Sequence, residues 1–170
     1  MNRYRFPGVD IQARLTRDYP FGKIATQAVG YVGRINESEL EDLDPSNYSG
    51  TTHMGKTGVE KSYESLLHGT VGYQHEESNA SGRVLRVLQR MAPIPGQNIY
   101  LTIDMDLQTV AEMSLEGKRG ALVALNPKTG EVLALVSVPE ADPNLFVNGI
   151  STQQYKALKD DPDQPLFNRV

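Results

Sequence analysis

The chain has no cysteine and no tryptophan. The first absence excludes disulfides and thiolate metal ligation, so packing, hydrogen bonds and charge must hold the fold together. Long apolar stretches are missing as well; the longest runs are Ala121–Leu125 and Val132–Val136. A bilayer-spanning helix needs about 20 apolar residues, so neither an anchor nor a signal peptide is expected within these residues. Positive charge is in deficit, with 17 Lys and Arg against 21 Asp and Glu and a net charge of −4. The basic residues are scattered, which argues against a nucleic-acid partner. There is no G-x-S-x-G elbow, and no serine has a lysine three positions later. Internal repeats and low-complexity tracts are also missing.

What is present is 170 residues, 39% of them apolar, enough for one ordinary domain or two small ones. Gly50–Thr57 spells G-x-x-x-x-G-K-T, a literal match to a phosphate-binding P-loop. A P-loop needs a buried strand entering its first glycine and a helix starting at its lysine, so that successive N–H groups converge on a phosphate. Residues 37–49 (ESELEDLDPSNYS) carry five carboxylates, one proline and no β-branched run, which predicts a short helix and a turn-rich loop instead. Thr57 and Glu60 have capping-box spacing, so the better expectation is a helix start. That helix would carry Val59, Tyr63, Leu66 and Leu67 toward a core. Nucleotide binding is kept only as the minor alternative.

Val9, Ile11, Ala13 and Leu15 alternate with polar residues and predict a strand ending at Tyr19-Pro20. Ile24, Ala25, Ala28 and Val29 predict a short helix stopped by Gly30. Asn36 and Glu39 form a second capping-box pair. Gly69–Gly82 is polar and small and predicts a hairpin loop, followed by a strand over Arg83–Leu88. Pro93-Ile94-Pro95-Gly96 reads as a domain boundary. Beyond it the pattern predicts a strand over Asn98–Ile103, an N-cap at Asp104, and a helix with Leu107, Val110, Ala111 and Leu115 on one face, ending at Gly117. Gly120–Leu125 and Glu131–Val138 read as two strands joined by the Asn126–Gly130 turn, apolar enough to be covered on both faces.

Few constellations suggest chemistry. Asp104 and Asp106 resemble a metal-binding carboxylate pair, but helix N-termini favour acids and the cap explains them. His53, His68 and His75 sit at irregular spacing without cysteine, which predicts no zinc site. The acidic run Glu37–Asp44 reads as a solvated helix face.

Four blocks carry a family resemblance: Arg17-Asp18-Tyr19-Pro20-Phe21-Gly22 with Gly30-Tyr31-Val32-Gly33; Gly55–Glu60 with Tyr63-Glu64; Leu101–Asp104 with Leu107-Gln108; and Gly120–Val123 through Asn126–Ala134 to Pro143-Asn144-Leu145-Phe146. In this order they resemble the class B penicillin-binding proteins over nearly the whole chain. The segments Asn148–Ser151 and Pro165–Arg169 are similar to the elongation-specific branch; the division-specific branch is the alternative. The resemblance implies an α+β chain: a β-rich, non-catalytic pedestal over residues 1–95, then the first strands and helix of a transpeptidase domain over residues 96–170.

It further implies a parent peptidoglycan D,D-transpeptidase, penicillin-binding and periplasmic, held in the inner membrane by an anchor outside these residues. Its serine would be acylated by D-Ala-D-Ala stem peptides and trapped by β-lactams. That serine belongs to an S-x-x-K motif, expected shortly after Val170, so this chain should contain no catalytic, cofactor or metal residue and be inactive alone. It would be cut at both ends. The triplets Lys56-Thr57-Gly58 and Lys128-Thr129-Gly130 imitate the family's catalytic K-T-G but precede the nucleophile, and both are refused that role. Expected partners are a rod-shape scaffold protein and a membrane glycan polymerase, docking on the pedestal, where Tyr48 and Tyr73 are candidate exposed aromatics. A pure docking module is the remaining alternative.

Overall fold

The structure, a computed structural model, describes residues 15–170. The strand predicted over Val9–Leu15 lies outside the described residues except for Leu15 itself. The elements, in order, are α1 (Thr26–Val29), β1 (Val32–Arg34), α2 (Glu37–Leu40), α3 (Pro45–Tyr48), β2 (His53–Gly55), α4 (Gly58–Ser62), α5 (Glu64–Leu67), β3 (Tyr73–Ser78), β4 (Val84–Met91), α6 (Met105–Ser114), β5 (Gly120–Leu125), β6 (Val132–Val138), α7 (Asn144–Val147) and α8 (Thr152–Asp160). The fold is α+β, and the described residues form three antiparallel pairs: β1 with β2, β3 with β4, and β5 with β6. Among the described residues no helix is long and apolar enough to cross a membrane.

The Asn36 capping box forms as predicted: Asn36 Oδ1 accepts the Glu39 N–H and the Glu39 carboxylate accepts the Asn36 N–H. The Thr57 box does not. Thr57 occupies the N-cap without a side-chain bond, and Glu60 turns inward to 3% exposure. The predicted single helix breaks at Tyr63 into α4 and α5, leaving Tyr63 and Leu66 exposed. Glu60 and Glu64 make inward hydrogen bonds, to the Tyr19 hydroxyl and the Gly55 N–H, and Val59 and Leu67 are half-buried beside them. The entry to α4 crosses the end of α1 backbone to backbone. A Cβ on Gly30, at φ 80°, would lie 1.9 Å from the Thr57 carbonyl oxygen, and one on Gly58, at φ 59°, would lie 2.7 Å from the Ala28 oxygen. Only glycine fits both the left-handed turn and the close approach.

Within the polar stretch predicted as a loop, Tyr73–Ser78 is strand, because β4 supplies a ladder that overrides weak intrinsic propensity. The loop contracts to residues 79–83, where Asn79 Oδ1 accepts the Ser81 and Arg83 N–H groups. β4 is exposed along its whole length.

Residues 98–103 are not a strand. Their contacts to β6 are single bonds, Thr102 Oγ1 donating to the Val132 oxygen (2.7 Å) and, just after them, Asp104 N–H to the Leu133 oxygen (2.9 Å). The next position on that edge of β6 is closed by a side chain. Gln108 is fully buried; its Oε1 accepts the Leu135 N–H (2.8 Å) and its Nε2 donates to the Leu135 oxygen (2.9 Å). A glutamine thus takes the place of a neighbouring strand.

Asp104 caps α6 as predicted, accepting from the Asp106 and Leu107 N–H groups, but α6 ends at Ser114 rather than Gly117. Its predicted face is only half right: Ala111 is buried, whereas Leu107 and Val110 are exposed. Ala111, Ala134 and Val136 form a small core, with Leu115, Leu122, Ala124 and Val138 packed on it. The β5–β6 hairpin forms as predicted but is not covered on both faces, since Val123 and Leu125 of β5 are exposed. With so little apolar burial, buried polar pairing carries unusual weight.

Replacing Gln108 by alanine would strand both Leu135 backbone groups and leave a void, at a cost of about 3–5 kcal/mol. Urea denaturation should show a lower midpoint with an unchanged slope; a Gln108→Ala protein within 1 kcal/mol of the parent, roughly one net hydrogen bond, would refute the edge-closing role.

Candidate functional site

The polar groups that join the chain's two predicted halves converge on Tyr19. The Pro20–Gly22 turn, closed by Gly22 N–H donating to the Tyr19 oxygen at 3.0 Å, sets Tyr19 with its ring inward at 9% exposure. The ring hydroxyl donates to Glu60 Oε1 (3.2 Å) and accepts the Val32 N–H (2.9 Å). Arg17 Nε and Nη2 both reach the same Glu60 oxygen at 2.6 Å. Burial, then the Glu60 charge, push the Tyr19 hydroxyl up to about 12, so it stays a neutral donor at any physiological pH. The Glu60 carboxylate is buried and needs these partners.

The Tyr19 backbone is held from the other half. Asn144 Oδ1 accepts the Tyr19 N–H and Asn144 Nδ2 donates to the Tyr19 oxygen, both at 2.9 Å. The amide side chain imitates one rung of a β-ladder. Asp142 Oδ1 fixes Asn144 by accepting both its backbone N–H (2.9 Å) and its Nδ2 (3.0 Å). Two residues further on, Phe146 stacks on Tyr31 with centroids 4.3 Å apart and planes at 25°. At the other end of the seam Glu112 Oε1 accepts the Ala25 N–H (2.9 Å) and Gln108 Nε2 (2.8 Å). Residues 17–32 are thereby fastened to α6 and α7 by hydrogen bonds and one aromatic pair.

The P-loop match does not assemble. Gly50 follows α3 and a turn, β2 lies after it, and the next helix starts at Gly58. The Lys56 ammonium pairs with Glu39, and its stem lies over Gly33. The hydrogen bond from Lys56 is the main reason the Glu39 carboxyl is held below its usual range. Thr57 and Gly58 form the backbone crossing described above. Lys128, Thr129 and Gly130 lie exposed in the β5–β6 turn, where Thr129 Oγ1 donates to Glu131 Oε2 (2.6 Å).

The remaining candidates scatter. Asp104 Oδ1 is occupied by two cap bonds. His53 contacts Thr52, His68 stacks on Tyr48 and His75 tilts against Tyr73, and no metal-holding group of three is found among the described residues. Tyr48 was expected in a polar loop as an exposed aromatic; it is instead the last residue of α3, half-buried between His68 and Glu64. Burial and its bond to Glu64 push its hydroxyl up to about 12. Tyr73, at the start of β3, is exposed. Sequence reasoning missed Glu112 and Asn144 as seam residues. Asn144 had a signal, its place beside Pro143 in a family block; Glu112 had none, being one more acid on a helix.

Residues 1–101 match the penicillin-binding protein dimerisation domain. The chain is 53% identical over 168 residues to the peptidoglycan D,D-transpeptidase MrdA of Acinetobacter baumannii, covering 99% of this chain and 25% of that protein. It is 48% identical over 174 residues to MrdA of Escherichia coli K12, covering 100% and 28%. Thus it spans about a quarter of these relatives. Among solved structures, it is similar to Pseudomonas aeruginosa PBP2 in complex with WCK 5153, with a TM-score of 0.79, 54% identity, and coverage of 92% of this chain and 31% of that one. A complex between PBP2 and MreC from Helicobacter pylori gives a TM-score of 0.79 at 37% identity, covering 91% and 28%.

Asn144→Ala would remove both bonds to Tyr19 at once, with an expected loss of about 2–3 kcal/mol. Thermal melting checks this. Asn144→Asp, which keeps the acceptor but loses the donor, should be destabilising too; stability unchanged in both variants would show that the seam does not depend on this residue.

Proposed function

The chain belongs to the penicillin-binding protein dimerisation-domain family, and from that premise we propose that it is the pedestal and the opening of the transpeptidase domain of an elongation-type peptidoglycan D,D-transpeptidase. The pedestal runs to about Pro95 and the transpeptidase segment from Gly96 onward. The observation that carries this reading is the Tyr19 seam. It fastens the first described residues to α6 and α7 across that boundary, as a strut supporting a catalytic domain must be fastened. The parent is periplasmic and anchored in the inner membrane, and it cross-links stem peptides through an acyl-serine that β-lactams also trap. The nucleophile lies elsewhere in the parent, because no serine of this chain has a lysine three residues on.

A second activity is docking. The β3–β4 hairpin leaves Val84, Leu85, Val87, Leu88 and Met91 exposed, an apolar surface of the kind that marks protein contacts. The Helicobacter pylori relative solved with MreC supports a rod-shape scaffold protein as this partner. A membrane glycan polymerase is the second partner of the pedestal.

The isolated 170 residues should form no denaturant-stable adduct with a fluorescent penicillin, while the complete parent should; a labelled band from the isolated chain would overturn the assignment. In the complete parent, Leu85→Asp with Leu88→Asp should weaken scaffold binding by roughly tenfold or more, about 1.4 kcal/mol, without lowering the melting temperature. Unchanged affinity, read by titration calorimetry, would remove the hairpin from the docking surface.

A further inference from the structure

We propose that Ser137 and Arg169 are positioning residues for the acylated serine of the parent enzyme: together they fix residues 167–169 to β6, from where the chain runs on toward the nucleophile. This rests on the proposed function, in which an S-x-x-K motif follows shortly after Val170. Residues 161–170 belong to no helix or strand, so their backbone groups need partners from side chains. Arg169 supplies three of them. Its Nη2 donates to the Asp163 oxygen (2.6 Å) and its Nη1 to the oxygens of Gln164 (3.3 Å) and Phe167 (3.0 Å), while the guanidinium carbon lies 5.6 Å from the centre of the Phe167 ring. Gln164 sits at φ 48°, a left-handed backbone that a residue with a Cβ keeps only where its surroundings hold it.

The folded segment is fastened to the sheet at a buried point. Ser137, opposite Ala121 in the β5–β6 ladder, is fully buried; its Oγ accepts the Arg169 N–H at 2.9 Å and donates to the Phe167 oxygen at 3.5 Å. A hydroxyl can do both, since it carries one donor and two acceptor sites. Arg169 is thus held twice, its main chain by Ser137 and its side chain by the turns it closes. Further back, Arg119 at the entry to β5 donates to the Pro162 oxygen (3.2 Å) and pairs with Asp163 (2.5 Å), and Pro165 is buried. Each extended residue spans about 3.5 Å, so a serine a few residues beyond Val170 sits on a short lever from the Arg169 amide. Misplacing a reacting atom by about 1 Å can cost roughly a hundredfold in rate. Loosening this anchor displaces the nucleophile relative to a bound acyl donor, which lowers the rate of acylation rather than the affinity for the donor.

Stopped-flow acylation of the complete parent by a fluorescent penicillin, taken to saturation, separates the affinity of the first complex from the rate of acylation. Ser137→Ala, a near-isosteric change, should lower the saturating rate roughly tenfold and leave the affinity within about twofold. Ser137→Thr, which keeps the hydroxyl, should restore most of the rate. Equal saturating rates in wild type and Ser137→Ala overturn the positioning role and leave the proposed function standing; so does a loss that falls on affinity and melting temperature instead. A wild-type parent that takes up no penicillin overturns both. Should the Ser137 variants fail to fold, Arg169→Ala compared with Arg169→Lys decides on the same readout: a fall in the saturating rate that lysine partly restores supports the role, and an unchanged rate overturns it.

Discussion

The structure depends on giving the buried Glu60 carboxylate its hydrogen-bond partners out of water. A buried carboxylate without partners costs several kcal/mol. Glu60 is satisfied because Arg17 and the Tyr19 hydroxyl converge on one oxygen. That requirement fixes the path of residues 17–19 against α4. The same Tyr19 hydroxyl accepts the Val32 N–H and so sets the start of β1, while the Tyr19 backbone is the surface that Asn144 recognises. One tyrosine therefore ties three segments that are far apart in sequence. Arg17 is 46% exposed, so the pair gains less from charge than a dry one would. Its value is geometric: three groups fit only one arrangement.

The seam is built from hydrogen bonds because the chain has little apolar surface to spend there. Among the described residues the buried apolar cluster is made of Ala111, Ala134 and Val136. Polar joints behave differently from apolar ones. An oily interface tolerates a slip of a fraction of a turn, whereas the Asn144 rung and the Gly30–Gly58 crossing lose their contacts entirely when displaced. For a proposed strut beneath a catalytic domain, that difference sets how displacement of the pedestal reaches α6 and β6.

Local signals in the sequence were legible where the interaction itself is local. The Asn36 box, the Asp104 cap, the Gly30 stop and the β5–β6 turn each involve residues a few positions apart, and each appears as expected. Glu60 shows the limit. Its spacing from Thr57 satisfied the capping pattern, yet Arg17 and Tyr19, about forty residues away in sequence, outcompeted the helix terminus for its carboxylate. Residues 98–103 failed for a related reason. Their β-propensity was real, but Gln108 had already closed the β6 edge at Leu135. The polar β3 strand erred in the opposite direction, since a paired neighbour made a strand from residues that would not form one alone.

The two Lys-Thr-Gly triplets show why a motif needs its context. In both, the glycine holds a left-handed turn, φ 59° at Gly58 and 78° at Gly130. In the first, Gly58 is required by the crossing with α1, and Lys56 is spent on Glu39. In the second, Gly130 closes a hairpin through its N–H to the Asn126 oxygen at 2.8 Å, and Lys128 is exposed. A catalytic lysine must face a pocket and remain available to a substrate or a nucleophile; Lys56 is paired with Glu39, and Lys128 stands exposed on a hairpin turn. Since glycine after a short polar residue is what tight turns select in any fold, the triplet recurs here for reasons of backbone geometry. Chemistry can be assigned to such a pattern only once its lysine is seen unspent beside a nucleophile.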